Sequence, residues 1–395
     1  MQANSRIAKL VPAMVIIAIF PGWFEMFYGF LQWQSGDHAT PLRDGANIWA
    51  AGRLIVTGHM NVIVDPYFPM QFLQGIGFRP WAYPPSMLLL AVPFGLLQPL
   101  PAVLLYDTLT TALLVFCLRS ARFGWPIIAA ILLSPAALDN LADGQNGALM
   151  AGLLVAGLWR AERSPWLGGA LLGLATAKPQ LGLLIPVYLM ARGNWRAIAA
   201  AAITAALLMA VSSMVFGLDI WPIYISRLLP YQAHALVFLT TNPWPGPQAM
   251  QMSVFSLARE AASGVSLAYG VQAVSTLAVL IGAWVAGRRI ADETLRLAIL
   301  LLMISLAPPY LWCYDMIPAS VGIALLVRAG CSRGFSRGEF WVLALLWVTP
   351  GIAIYQAVAR QPSFCPLVVI AVLIYAWRHA WPDMRGWDKQ PHIRV

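Results

Sequence analysis

Residues 197–217 read "AIAAAAITAALLMAVSSMVFG", with no charge and no proline. Wound as a helix at about 1.5 Å per residue, the stretch is about 30 Å long, the thickness of a bilayer's hydrocarbon core. Arg192 and Arg196 stand just ahead of it. A helix that is apolar on every side belongs in lipid or in a deep core.

Segments of this kind recur from one end of the chain to the other. Of the 395 residues, 60% are hydrophobic and only 10% are charged, where soluble domains carry about 25% charged residues. The mean hydropathy is +0.71. The expected architecture is therefore all-α: a polytopic membrane protein with ten to twelve transmembrane helices. Candidate spans are 8–31, 85–117, 124–140, 147–159, 165–177, 180–191, 197–217, 266–286, 295–308, 316–328, 340–357 and 364–377. Several fall short of the roughly 20 residues that a perpendicular span needs, so they are extended, broken or buried among other helices. Arg6 and Lys9 ahead of the run Leu10–Phe20 resemble the start of a signal peptide. No small-residue cleavage site follows cleanly, and the run is read as the first span.

The net charge of +9 does not form a nucleic-acid patch, because the cations sit between apolar segments. They read as topology signals. With twelve spans counted, Arg119 and Arg122, Arg160 and Arg163, Arg192 and Arg196, Arg288 and Arg289, Arg328, Arg333 and Arg337, and Arg378 all fall on the side of Arg6 and Lys9. That side is expected to be the cytoplasm, with both termini on it, in a bacterial inner membrane. The expected organisation is one transmembrane domain over 1–378 and a polar cytoplasmic tail over 379–395. The opposite face, toward the periplasm or exterior, holds the long loops 32–84 and 218–265. Loop 32–84 contains an amphipathic stretch, Asp44–Met60, whose Ile48, Ala51, Leu54 and Ile55 recur at helical spacing. It fits a short helix lying on the outer leaflet or packed on the bundle. Cys117, Cys313, Cys331 and Cys365 are far apart, without metal-ligand spacing.

Polar residues gather on the face of the long loops: Asp37, Asp44, Asp65, Asp139, Asp143, Gln145, Asn146, Gln251 and Asp315. Asp44 just before the amphipathic stretch suits either a helix cap or a carboxylate base facing a hydroxyl. "ADGQNGALM" (142–150) places Asp143 as a helix cap, with Gln145 and Asn146 in the first turn. Such amides suit sugar or phosphate recognition and equally suit helix-to-helix hydrogen bonds. Lys178 stands in "GLATAKPQLGLLIP" (173–186) between two apolar segments, just before Pro179. A cation there is costly unless it is paired, solvated or snorkelling. Trp81 and Tyr83 of "WAYPPSMLLLAVPFG" (81–95) fit an interfacial aromatic belt. Asp315, in "SLAPPYLWCYDM" (305–316), either positions an acceptor sugar or caps a span, and Trp221, Trp244 and Trp312 are candidates for sugar stacking. Glu25 in "GWFEMFYGF" has no evident role. A glycine-rich nucleotide loop, an HExxH pair and a cysteine–histidine cluster are all lacking from the sequence. No cofactor and no metal are expected. With no soluble apparatus to hold a nucleotide sugar, a substrate already carried on a membrane lipid is the natural expectation.

Several motifs together resemble glycosyltransferase family 87, related to polyprenol-phosphate-mannose-dependent alpha-1,2-mannosyltransferases, over roughly residues 40–325. They are "DGANIWAAGRLIVTG" from Asp44 to Gly58, Tyr83-Pro84-Pro85, Gly144-Gln145-Asn146, the Gly168–Pro179 helix with Lys178, Gln251 and Ser253, and Ser305, Pro308 and Trp312. The family more often has an aromatic residue directly after the loop Asp, where this chain has Gly45. The resemblance implies a GT-C type fold and an active site at the extracytoplasmic membrane surface. It implies inverting transfer of a hexose or pentose, mannose-like or other, from a polyprenyl-phosphate donor to a lipid-linked or cell-envelope glycan. Asp44 is the implied base, and Lys178 and Arg53 the implied partners of the donor phosphate. Tyr83, Asp143, Gln145, Asn146, Gln251, Trp312 and Asp315 are the implied substrate contacts. The competing functions are a transporter or flippase of a lipid-linked glycan and a glycan ligase or polymerase. A transporter would line the cytoplasmic half of its path with polar groups as well, and this chain concentrates them on one face.

Overall fold

Proline and glycine punctuate the apolar sequence and decide where its helices start and stop. A computed structural model describes residues 2–35, 40–63, 81, 83–241, 250–261, 263–359 and 361–387. They form helices α1 (Gln2–Gln34), α2 (Ala46–Val56), α3 (Pro99–Ser120), α4 (Trp125–Leu132), α5 (Pro135–Asp143), α6 (Gly147–Ala161) and α7 (Pro165–Leu174). There follow α8 (Ile185–Ala191), α9 (Trp195–Phe216), α10 (Val265–Arg289), α11 (Glu293–Ile304), α12 (Ile317–Arg333), α13 (Glu339–Val358) and α14 (Cys365–Trp387). Shorter helical turns fill the connections. Proline occupies the first turn of α3, α4, α5, α7, α8 and α12, where its missing N–H costs nothing. Ser134 caps α5 by accepting from Ala137 N, just where the chain bends 56° between α4 and α5.

The expected all-α, polytopic architecture is found. The expected ten to twelve spans are not reached by length and composition alone. Among the described residues, six helices are long and apolar enough to cross a membrane, or seven with α4 and α5 taken as one bent span. The six lie at 99–120, 195–216, 265–289, 313–333, 339–357 and 365–382. The reason is burial. From Leu295 to Ile304 every residue of α11 is buried, and α6 is buried along nearly its whole length. Helices walled in by other helices satisfy their backbone internally and need not match the bilayer's thickness. Gly157 of α6 has room only for a hydrogen against Leu172 and Gly168, the close approach that small residues permit in membrane bundles. The stretch 197–217 is one of the six, exposed along most of its length on the outside of the bundle.

Segment 85–117 is two things, not one span. Ser86–Ala91 and the turn Val92–Leu96 form a short buttress, and α3 follows after Gln98. The amphipathic stretch after Asp44 is α2, with Ala46, Ile48, Ala50, Ala51, Gly52 and Leu54 buried. Gly52 and Gly95 cross backbone to backbone with no room for a Cβ on either. So α2 is clamped on the bundle top. The helix α14 continues to Trp387, beyond the expected start of the tail at 379.

Several of the arginines that follow the apolar segments pair with carboxylates. Arg163 grips Glu293 through two bonds of 2.6 and 2.8 Å. Arg192 grips Glu162 through two bonds of 2.9 Å, and Arg296 reaches the same carboxylate at 3.6 Å. Arg333 and His379 both pair with Glu339. Burial, the largest influence, pushes the Glu162 carboxyl up, but Arg192 and Arg296 together hold it below its ordinary value.

Candidate functional site

Opposite the arginine end, two tripeptides face each other. Arg43-Asp44-Gly45 leads into α2, and Asp143-Gly144-Gln145 joins α5 to α6. Arg43 Nε lies 3.0 Å from Asp143 Oδ1. Asp44 Oδ2 accepts from Gln145 Nε2 at 2.8 Å. Between these contacts a Cβ on Gly144 would collide with Gly45 Cα at 2.5 Å, and one on Gly45 would come within 2.7 Å of Val103 Cγ1 and 3.1 Å of Gly144 Cα. Gly144 also has φ +64°, the left-handed conformation that glycine adopts without strain. The glycine after the loop Asp, unusual against the resemblance, is thus required by the packing.

Asp44 is not a helix cap. The cap position of α2 is Gly45, which makes no side-chain cap bond. Gln145 orients the Asp44 carboxylate, and Tyr83 Oη donates to Gln145 Oε1 at 2.9 Å. The tyrosine, amide and carboxylate form one chain. Burial pushes the Tyr83 phenol well above its ordinary value, and the charges of Asp44 and Asp315 add to this. Both carboxylates therefore share its neighbourhood. Asp143 is the last residue of α5, not a cap of α6, and Gln145 and Asn146 precede α6 instead of forming its first turn.

Lys178 is 3% exposed and does not snorkel. Its Nζ donates to Asp315 Oδ1 at 2.5 Å and to Asn146 Oδ1 at 3.2 Å, and it lies 4.9 Å from the centre of the Tyr314 ring. Asp315 uses its second oxygen to accept from Trp312 N at 3.2 Å. Trp312 stacks on Tyr314 and meets Tyr310 edge-on. Burial pushes the Tyr310 phenol up to about 12. Gln251 pairs with Trp312 in an isolated backbone bridge and its Oε1 accepts from Ser256 Oγ at 2.8 Å.

The unspent polar atoms say what the site lacks. Asn146 Nδ2, Gln251 Nε2, Trp312 Nε1 and Trp81 Nε1 are buried without a hydrogen-bond partner among the described residues. These four are donors, whereas Asp139 Oδ1, in the layer beneath, is an acceptor also left unpaired among the described residues. For Asn146 the assignment is forced, because an ammonium can only donate and so faces the carbonyl oxygen. Buried donors left unpaired call for a ligand or water rich in acceptors.

Seven of the expected residues, Asp44, Tyr83, Asp143, Gln145, Asn146, Lys178 and Asp315, are brought together, and Trp312 and Gln251 adjoin them. Arg53 is exposed in the last turn of α2, about 13 Å along the helix from Asp44. Trp221 donates to Ser212 Oγ at 2.9 Å, on α9 and not in this cluster. Asp37, Asp65 and Trp244 lie outside the described residues.

The sequence reading passed over two residues. Arg43 holds Asp143 and, at 2.5 Å, Glu25 of α1. Its φ of 43° and ψ of −134° are strained for a residue with a side chain, at a cost on the order of 1–3 kcal/mol. Burial works against the Arg43 charge, but the Asp143 and Glu25 carboxylates outweigh it and hold the guanidinium above its ordinary value. The signal was present: an acid within the aromatic run of α1 needs a cation, and Arg43 directly precedes Asp44. Cys313 donates to Asp139 Oδ2 at 2.8 Å beneath the same cluster, a contact no spacing announces.

In a comparison with protein families, the description of glycosyltransferase family 87 matches residues 81–309. Comparisons with curated proteins and with solved structures find no match. The matched stretch is shorter than the 40–325 expected. It holds Tyr83, Gln145, Asn146, Lys178 and Gln251, and leaves Asp44, Trp312 and Asp315 outside. It nevertheless covers more than half of the 395 residues, and the chain belongs to glycosyltransferase family 87.

Proposed function

We propose that this membrane glycosyltransferase moves a sugar from a polyprenyl-phosphate donor to a lipid-linked or cell-envelope glycan, with inversion at the anomeric carbon. Asp44 is the base in this reading. It takes the proton of the acceptor hydroxyl as that oxygen attacks, and the polyprenyl phosphate leaves from the opposite face. The observation that carries the reading is the Tyr83–Gln145–Asp44 chain beside a set of unspent buried donors. Gln145 fixes the direction of the Asp44 carboxylate, as a base that must meet a substrate hydroxyl requires. The donors of Asn146, Gln251, Trp312 and Trp81 suit sugar hydroxyls and phosphoryl oxygens, which are rich in acceptors.

In this reading Lys178 is not a bare cation. Asp315 already balances it, and its part is to hold Asn146 and to offer a polarising charge within reach of the departing phosphate. The depth of the site favours a lipid-borne substrate. The helix α6 runs from the site to Glu162 in the arginine layer, and its 15 residues span about 22 Å, less than the roughly 30 Å of a hydrocarbon core. With the arginine layer on the cytoplasmic face, in a bacterial inner membrane, the site lies at the outer leaflet, where a prenyl carrier's headgroup resides. The GT-C type of fold, a mannose-like donor sugar and the extracytoplasmic orientation belong to the same proposal.

The test is transfer of a labelled sugar from polyprenyl monophosphate by the purified protein in lipid nanodiscs. Movement of an intact lipid-linked glycan across proteoliposomes with no transfer would replace this reading by a flippase. Transfer only from a diphosphate-linked donor would replace it by a ligase or polymerase.

A further inference from the structure

We infer that Glu25 and Asp143 are positioning residues that act on Asp44 through Arg43. The inference rests on Asp44 being the base of the proposed reaction, and adds the first helix of the bundle to its machinery. Three observations carry it. Arg43 adopts φ 43° and ψ −134° immediately before Asp44, and among the described non-glycine residues only Arg122 also has positive φ. A side-chain-bearing residue stays in such a conformation only where its surroundings over-determine it. Those surroundings include two carboxylates on different helices: Glu25 Oε2 of α1 at 2.5 Å from Nη1, and Asp143 Oδ1 of α5 at 3.0 Å from Nε. The backbone on both sides is also seated, since Gly45 lies against Gly144 and Asp44 against Gln145.

The guanidinium is suited to this task. It is planar, holds its charge at every working pH, and presents separate N–H groups that grip two carboxylates at once. A lysine ammonium has the charge but not the fork. The clamp sets the direction in which the chain leaves residue 43, and so sets where the Asp44 carboxylate stands relative to Gln145. The helix α1 is held to the rest of the bundle by α5 and α13 alongside this clamp: Gly22 packs on Leu138, and the backbone of Ala18 on Gly351. Glu25 thereby reaches the site from a helix that supplies no member of the Tyr83–Gln145–Asp44 chain.

Glycine accepts the Arg43 backbone conformation without strain, whereas alanine does not. This separates the clamp from simple loss of a side chain. We expect Arg43→Ala to lower kcat by about 100-fold and Arg43→Gly by only about 10-fold, as suits a misplaced catalytic group. Glu25→Gln, Asp143→Asn and Arg43→Lys should each lower kcat by about 10-fold with donor and acceptor KM within about 3-fold of wild type. Equal activity of Arg43→Ala and Arg43→Gly would overturn the inference. So would a rise in donor KM at unchanged kcat, which would make Arg43 a ligand-binding group. The second readout needs no turnover. Electron cryomicroscopy of Glu25→Gln in nanodiscs should show the Asp44–Gln145 hydrogen bond lengthened or lost. An unchanged 2.8 Å contact there would also overturn the inference, whether or not the wild type uses a polyprenyl-phosphate donor. If the wild type uses none, the proposed reaction fails and this distance alone decides the clamp.

Discussion

Two ion pairs, one beyond each end of α6, are built in opposite ways. At its C-terminal end Arg163 and Glu293 have side chains 41% and 38% exposed. At its N-terminal end Lys178 and Asp315 are 4% and 0% exposed. Exposed pairs gain little from water-screened attraction and pay side-chain entropy to form. A buried pair has left its hydration behind, and each partner depends on the other. In the proposed reading the arginine end sets orientation and anchors helix ends, while the other end stores polar groups for a substrate to complete. The proposed site thus lies where charge is most costly to keep.

The largest effect should come from Asp44→Asn. Asparagine keeps an acceptor for Gln145 Nε2, so folding and the melting temperature should be unchanged. The base is gone, and kcat should fall by roughly 10²–10⁴-fold, the usual worth of general base catalysis. Turnover near wild type would remove Asp44 from the mechanism and with it the functional half of the comparison.

Breaking the buried pair comes next. Lys178→Ala leaves Asp315 as an uncompensated buried charge, and stability should fall by about 3–5 kcal/mol. In the population that stays folded, donor use should weaken more than acceptor use. Arginine at 178 should restore part of the activity, since it keeps the charge but not the compact shape. The double variant Lys178→Met with Asp315→Leu sharpens the point: apolar residues of similar volume often replace a buried pair without loss of stability. Thermal unfolding in detergent should recover while sugar transfer should not. If the double variant regained transfer, the pair would be a packing device only.

This contrast also marks how far the sequence could be read. Apolar segments such as 197–217 announce themselves, because lipid imposes one rule on every exposed helix. Buried helices obey no such rule. The twelve residues of α11 and the fifteen of α6 read as short spans, and their lengths make sense only with neighbours around them. The site followed the same pattern. Asp44, Gln145, Asn146 and Lys178 stood out as polar residues in apolar surroundings. Their pairing did not, since Lys178 and Asp315 are separated by 137 positions and Asp44 and Gln145 by 101. Arg43 escaped notice because an arginine in a polar loop is ordinary until its backbone conformation and its two acids are seen.

Glu260 offers a test at the edge of the functional end. One oxygen accepts from Ser363 N at 3.1 Å, and the other is buried without a partner among the described residues. Burial raises its pKa from 4.5 to about 7, against the opposing bond from Ser363. In the folded state the carboxyl holds its proton more tightly than in the unfolded state. The stability that Glu260 contributes should be full below pH 4.5, decline as pH rises toward 7 and then level off. Solvent screening at a partly open carboxyl reduces the effect to on the order of 1 kcal/mol. Glu260→Gln should flatten that decline between pH 5 and 8 in thermal unfolding. An identical decline in the variant would assign it to another group.

The smallest effect belongs to the arginine end. The Arg163 guanidinium makes two parallel bonds to Glu293, bonds Trp159 O at 2.9 Å, and lies 4.2 Å above the Trp159 ring. On paper this is a better-made contact than Lys178–Asp315. Its exposure decides otherwise, because water and salt compete for both partners. A double-mutant cycle of Arg163→Ala and Glu293→Ala should give a coupling energy of about 0.2–1 kcal/mol, shrinking further at molar salt. Sugar transfer should stay at the wild-type rate in all three variants, since neither residue touches the site. A coupling of about 3 kcal/mol or more, unmoved by salt, would mean that this end is as dry as the other. The assignment of one end to orientation and the other to chemistry would then have lost its physical basis.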